Sequence, residues 1–86
     1  MNAPARAAEL QRLRWRCRRG TRELDRLLGD WLERRYAGAS PALQAAFSEL
    51  LDEQDPQLWD WLMGREAPQR AEFRRIVDAI RSDHGL

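Results

Sequence analysis

TRELDRLLGDWLERRY occupies residues 21–36 and is the stretch that most clearly decides the fold. Its large apolar side chains recur at intervals of three and four residues, which is the spacing of one face of an α-helix. We expect this helix to begin at the Gly20-Thr21 step and to end before Gly38. Gly29 is the one local conflict, because glycine in a helix interior costs about 1 kcal/mol relative to alanine. We expect Gly29 to permit a close helix crossing. The apolar stripe consists of Leu24, Leu27, Leu28, Trp31, Leu32 and Tyr36.

Helix signals continue on both sides of this stretch. Upstream, a helix is predicted from about Ala5 to Arg18, with an apolar face formed by Leu10, Leu13 and Cys17. Further downstream, the last helix is predicted to start at Pro68 and to end before the tail of residues 83–86. Its 3.6-residue period is carried by Phe73, Ile76, Val77 and Ile80.

Two shorter helices are predicted between these. Ser40 supplies a capping oxygen and Pro41 occupies the first helical position, where its missing N–H costs nothing. Asp55 and Pro56 repeat this arrangement for a short fourth helix, which Gly64 ends. No stretch shows the alternation that is typical of a β-strand. The predicted class is therefore all-α, a single small bundle of about five short helices within one domain over residues 1–86.

Composition excludes several kinds of chemistry. The 86 residues contain one cysteine and one histidine, too few for a disulfide framework or a four-ligand Cys/His zinc site. Cys17 falls on an apolar face and His84 in the tail, where we expect it to be solvated, so they form no nucleophile–base pair. No glycine-rich phosphate loop and no stretch long enough to span a membrane are present. We therefore predict a cytoplasmic protein without catalytic residues, bound metal or membrane insertion.

Charge is distributed unevenly along the chain. Residues 1–26 contain eight arginines and three acidic residues, a net charge of +5, whereas residues 27–86 contain seven arginines and eleven acidic residues, a net charge of −4. The basic segment of residues 14–19 has the arginines and the tryptophan of a nucleic-acid patch, but the acidic remainder would repel a phosphate backbone. The asymmetry favours an oriented contact with a protein surface, and we predict no nucleic-acid partner.

The junction between the first two helices concentrates charge at a rigid corner. An arginine fork such as that of Arg19 can bind carboxylates or carbonyls, and Gly20 lets a partner's backbone approach without meeting a Cβ. Trp15 lies four residues before Arg19 and is placed to stack under its guanidinium. A plain helix boundary, with Glu23 beside the positive end of the helix dipole, explains the same residues equally well. Both interpretations stay open at this point.

DPQLWDWLMG, residues 55–64, is the second unusual segment. Trp59 and Trp61 lie two residues apart, about 200° around a helix, so both cannot face the same core. At least one should be partly exposed or covered by a neighbouring segment. Tryptophan is enriched at interface hot spots, which leaves partner contact and internal packing as alternatives.

These two segments resemble the small bacterial succinate dehydrogenase assembly factors of the SdhE family, which are related to mitochondrial succinate dehydrogenase assembly factor 2. The family signature R-G-x-x-E is present as Arg19-Gly20-Thr21-Arg22-Glu23, and the Asp55–Gly64 segment follows at a matching distance. The resemblance covers roughly residues 9–80. Thr21 stands where the family commonly has methionine, and Trp31 and Trp59 where it often has phenylalanine.

The resemblance implies an assembly factor and not an oxidoreductase. Its partner would be the flavoprotein subunit of succinate dehydrogenase, with that of fumarate reductase as a second candidate, and it would promote covalent attachment of FAD to a histidine of that subunit. FAD would be the cofactor of the client, with none held stably by this chain. The alternative is an antitoxin-like protein-interaction module that is not involved in flavinylation. The predicted partner-binding residues are Trp15, Arg18, Arg19, Gly20, Arg22, Glu23, Asp25, Trp59 and Trp61.

Overall fold

The computed structural model describes residues 3–86, which form five α-helices and one short π-helical segment. The elements in chain order are α1 (Ala3–Arg16), α2 (Arg22–Trp31), the π segment (Leu32–Tyr36), α3 (Pro41–Leu50), α4 (Asp55–Leu62) and α5 (Ala71–Asp83). The described residues contain no β-strand. The predicted all-α bundle of about five helices is thereby confirmed. None of the helices within residues 3–86 is both long and apolar enough to cross a bilayer.

Two predicted helix boundaries are wrong. α1 ends at Arg16 and not at Arg18, because the chain turns there, with the Arg18 N–H donating to the Trp15 carbonyl at 3.0 Å. α5 begins at Ala71 and not at Pro68. The carbonyl of Pro68 instead accepts a hydrogen bond of 2.9 Å from the Arg74 guanidinium, which holds the entry to the helix in a separate turn.

Helix α5 packs against α2, α3 and α4 and so lies at the centre of the bundle. One contiguous cluster of buried side chains contains residues from all five α-helices, and burial of this apolar surface is the main force that holds them together. The stripe predicted in residues 21–36 lies entirely in this cluster. The largest fully buried side chains are Leu28, Phe47, Leu50, Leu58, Leu62, Ile76 and Ile80.

The π segment is the one irregularity in the long second helix. Trp31 stacks on Phe47 with ring centroids 4.6 Å apart, and Tyr36 meets the same ring edge-on at 6.2 Å. In a regular α-helix two residues five positions apart point about 140° away from each other. The wider π turn reduces this angle, so both aromatic rings reach Phe47.

Two glycines, one inside α2 and one just after α4, have different surroundings. Gly64 follows α4 with φ +77°, and the Arg81 guanidinium covers it while donating to the Leu62 carbonyl at 3.1 Å. A Cβ at Gly64 would lie 2.7 Å from the Arg81 Nη2 atom. By contrast, a Cβ at Gly29 would meet no atom of the described residues within 4 Å apart from the adjoining backbone of its own helix. The expectation that Gly29 permits a close helix crossing is therefore wrong.

Cys17 is buried next to Leu13 in the core, as its position on an apolar face predicted. Its side chain is 3% exposed. Burial raises the pKa of the thiol to about 11, although the charges of Arg19 and Arg16 oppose the shift. The protonated thiol packs as a small apolar group.

Gly29→Ala and Gly64→Ala make the same chemical change and should have opposite effects on stability. We expect Gly29→Ala to raise the free energy of unfolding by up to about 1 kcal/mol, because alanine is the better helix former. Gly64→Ala should lower it by about 1–2 kcal/mol, because a positive φ strains any residue with a Cβ. Urea denaturation followed by circular dichroism measures both. A Gly64→Ala variant as stable as the parent protein would contradict this account of the α4 end.

The pKa of Cys17 predicts slow thiol alkylation in the native protein. At pH 8 the thiolate fraction should be about 100-fold smaller than that of a thiol with a pKa of 9, and burial adds to the protection. Iodoacetamide labelling in buffer and in urea measures the ratio of the two alkylation rates.

Because the unfolded thiol ionises near pH 9 and the native one near pH 11, the free energy of unfolding should fall as the pH rises through this interval. Cys17→Ala should lack that part of the pH dependence.

Candidate protein-binding site

The corner between α1 and α2 is open to solvent at Gly20. This residue has φ +99°, a conformation that favours glycine, and a Cβ there would meet no atom within 4 Å among the described residues. Thr21 caps α2, with its hydroxyl accepting from the Leu24 N–H at 3.4 Å. The corner thus presents bare backbone at the point where a regular helix starts.

The side chain of Arg19 is directed into the molecule. Its guanidinium donates to the Leu51 carbonyl at 2.7 Å, the Glu53 carbonyl at 2.6 Å and an Asp55 carboxylate oxygen at 2.8 Å. A fourth hydrogen bond, of 3.2 Å, goes to the Arg16 carbonyl at the end of α1. The side chain is only 15% exposed. Arg19 therefore ties the corner to the loop between α3 and α4.

Two expectations about residues near Arg19 are wrong because its side chain is directed into the molecule. Trp15 does not stack under Arg19, and instead the Arg18 guanidinium lies 5.0 Å from the Trp15 ring centroid. Asp55 is not the N-cap of α4, because its carboxylate binds Arg19. That helix is entered through Gln54, which makes no side-chain capping bond.

Asp25 also faces inward from the corner. Its carboxylate accepts a hydrogen bond of 2.5 Å from the backbone N–H of Arg19 and so holds the turn that precedes α2. The side chain is half-buried. Asp25 and Arg19 thus shape the corner, and direct partner contact through either stays a prediction.

Four other predicted residues are exposed on this side of the molecule. Arg22 and Glu23 lie in the first turn of α2, and within residues 3–86 neither makes a hydrogen bond or an ion pair. Trp15 is 64% exposed, the highest value for a large apolar side chain in the described part of the chain, and the Arg18 guanidinium lies over its ring. Exposed tryptophan and arginine are the residue types that dominate binding energy at protein interfaces.

The two tryptophans of α4 are both half-buried and have different neighbours. Trp61 packs beside Phe73 of α5, with ring centroids 6.0 Å apart. Trp59 lies on the other side of α4, facing Glu23 and Leu24 of α2 across a groove. Trp61 is thus mainly a packing residue, while Trp59 adjoins the corner.

The space between α2 and α4 forms a groove in two sections, which we call the α2–α4 groove. The section nearer the corner has a volume of about 500 Å³ and runs between Glu23 and Pro56. The second, of about 270 Å³, continues towards Met63 and Leu86. Glu23 and Trp59 line both sections, so one carboxylate stands at the middle of a mostly apolar channel.

Sequence reasoning missed the far end of this groove. The tail was expected to be solvated, but the His84 side chain is 10% exposed and its Nε2 atom lies 3.2 Å from an Asp30 carboxylate oxygen. The tail therefore folds back beside α2 and brings Leu86 to the groove. No signal in the sequence links His84 to Asp30, whereas the apolar character of Met63 and Leu86 could have marked them as candidates.

The described part of the chain combines an exposed surface at the corner with a buried thiol. Cys17, the one thiol, is buried and protonated, and the described residues contain no cluster of three or more groups able to hold a metal ion. What the corner presents is an uncovered backbone at Gly20, an unpaired carboxylate at Glu23 and an apolar channel beside it. These features make the corner a candidate protein-binding surface of a small helical domain.

Comparison with known proteins identifies the family of this domain. A family described as flavinator of succinate dehydrogenase matches residues 11–84. A protein of Xylella fastidiosa named FAD assembly factor SdhE is 49% identical over 75 residues, which are 87% of this chain and 77% of the relative. The chain belongs to this family.

Two further relatives carry the same name, FAD assembly factor SdhE. That of Coxiella burnetii is 40% identical over 70 residues, covering 81% of this chain and 85% of its own length. That of Legionella pneumophila is 42% identical over 74 residues, which cover 86% of this chain and 92% of the relative. No solved structure matches the chain.

Removal of the Arg19 side chain should destabilise the fold. We expect Arg19→Ala to lower the free energy of unfolding by about 1–3 kcal/mol, because it leaves half-buried carbonyls and the Asp55 carboxylate without their donor. Arg14→Ala is the matched control, since Arg14 forms one exposed ion pair with Glu33 at 2.8 Å, and exposed ion pairs contribute little to stability. Urea denaturation compares the two variants. Equal losses would show that Arg19 has no special structural role.

Proposed function

We propose that this protein is an assembly factor that binds the flavoprotein subunit of succinate dehydrogenase and promotes covalent attachment of FAD to a histidine of that subunit. The observation that carries the proposal is the family match over residues 11–84, which includes the exposed motif residues Gly20 and Glu23. The names of the relatives support the same role. The flavoprotein subunit of fumarate reductase is a second candidate client, and the cytoplasm is the expected compartment.

The client and its flavin supply the bond-forming chemistry in this proposal. This chain acts as a maturation factor and not as an enzyme, and it holds no FAD stably of its own. A protein that binds one conformation of its client more tightly than another shifts the client towards that conformation, by as much as the two affinities differ. The assembly factor thus favours the client arrangement in which flavin and histidine can react.

The client contact is assigned to the exposed side of the corner. Gly20 admits client backbone, and the Glu23 carboxylate is available for a cationic or N–H group of the client. Trp15 with Arg18 supplies an apolar and cationic anchor beside the motif, and Trp59 forms the wall of the α2–α4 groove. Complementary charge at such a contact sets orientation and association rate more than affinity.

Covalent flavin fluorescence on a denaturing gel tests the proposal. The apo-flavoprotein subunit is incubated with FAD, with and without this protein, and we expect faster flavin attachment in its presence. Glu23→Gln should reduce the acceleration by about tenfold or more, because the client loses a charged partner in the contact. Asp78→Asn is the matched control. Asp78 is an exposed carboxylate on α5 with no partner in the described chain, and it lies outside the groove.

The outcomes separate the function from the site. No acceleration by the folded wild-type protein with a competent client would contradict the flavinylation role and favour the antitoxin-like alternative. Acceleration that Glu23→Gln and Asp78→Asn preserve equally would keep the function but contradict the assigned contact. Circular dichroism of each variant shows whether the fold is intact.

A further inference from the structure

A second groove lies at the opposite end of the long second helix and has no place in the proposed function. It has a volume of about 570 Å³. Its floor is apolar, with Leu43, Ile76 and Ala79 among the lining residues, and three arginines stand around it. We call it the arginine groove. Its arginines are Arg34 and Arg35 of the π segment and Arg75 of α5.

The positive charge of the arginine groove is only partly neutralised. Arg35 is fully engaged, since it binds Asp83 through two hydrogen bonds of 2.7 and 2.5 Å and holds the pKa of that carboxyl below its usual range. Arg34 lies 4.0 Å from Asp30, the outer limit of an ion pair. Arg75 is exposed and makes no hydrogen bond or ion pair within residues 3–86. No acidic residue lines the groove.

The π segment sets the position of two of these charges, Arg34 and Arg35. Its wide turn keeps Trp31 and Tyr36 in the core, while Arg34 and Arg35 both line the groove. Single π turns within helices occur frequently at functional sites. At 1.5 Å per residue the groove lies about 20 Å along the helix axis from the corner at Thr21. The groove and the corner therefore occupy separate parts of the surface.

We propose that the arginine groove binds an acidic segment of a partner protein, with an apolar side chain between two carboxylates. The Arg34 and Arg75 guanidinium groups can each hold a carboxylate with two parallel hydrogen bonds. The apolar floor can bury the side chain between them. A phosphate backbone fits less well, because it brings no aliphatic side chain to that apolar floor.

Fluorescence anisotropy tests this with a dye-labelled peptide, acetyl-Asp-Glu-Leu-Asp-Glu, and its uncharged counterpart, acetyl-Asn-Gln-Leu-Asn-Gln. We expect the acidic peptide to bind saturably and the uncharged peptide not to bind. The measurement is made at about 0.15 M salt, where charges more than about 8 Å apart are largely screened. Arg75→Gln should weaken binding by about tenfold, because a hydrogen-bonded charge pair is lost. Arg22→Gln, the matched control at the other end of the helix, should leave the affinity unchanged within about twofold.

Any of the following three results would overturn the proposal. Loss of binding in Arg22→Gln as large as in Arg75→Gln would place the peptide on the basic corner or reveal unspecific attraction. Tighter binding of single-stranded oligothymidylate, with the same dependence on Arg75, would make the groove a nucleic-acid site. No binding of the acidic peptide to the folded chain would remove the groove as a docking site. The test uses the isolated chain, so its result is independent of the flavinylation assay.

Discussion

The guanidinium of Arg19 is the interaction on which the binding corner depends. It joins the end of α1 to the loop after α3 and the first residue of α4, which lie more than 30 residues further along the chain. Hydrogen bonds from one charged group to several carbonyls are effective because the fork geometry fixes both the distance and the direction of each partner. Arg16 reinforces this connection through Ser48 and Asp52. The corner is therefore rigid without a disulfide or a large core of its own.

The same interaction explains why two separate sequence segments lie side by side in the candidate site. Arg19 opens the motif of residues 19–23, and its ion pair with Asp55 positions the start of α4, which carries Trp59. The wall of the α2–α4 groove thus stands at a fixed distance from Glu23. The motif residues differ in position. Arg19 holds the corner together from inside, whereas Gly20 and Glu23 are exposed on its surface. Loss of function in an Arg19 variant is consequently evidence about binding only when its stability has been measured.

The sequence predicted the helices well because their signals are local. Apolar spacing located the stripe of residues 21–36, and the Ser40 cap of α3 is present, with its hydroxyl accepting from the Leu43 N–H at 3.2 Å. The errors fall where a distant residue competes with a local rule. Asp55 would cap its own helix in isolation, but the Arg19 guanidinium offers a stronger, charged partner. His84 is covered because the tail meets Asp30, a contact between residues that no periodicity connects.

Linear charge counting also concealed part of the molecule's electrostatics. Residues 27–86 carry a net charge of −4, yet Arg34 and Arg75 from that portion gather at one end while its acidic residues lie elsewhere or pair locally, as Asp83 does. Folding converts an acidic stretch into a surface with a basic groove. The second helix and its π extension span the distance between this groove and the corner, and their buried face is held by one core. A single helical element can therefore carry both proposed binding surfaces, since each needs only exposed side chains on a helix that the common core already stabilises.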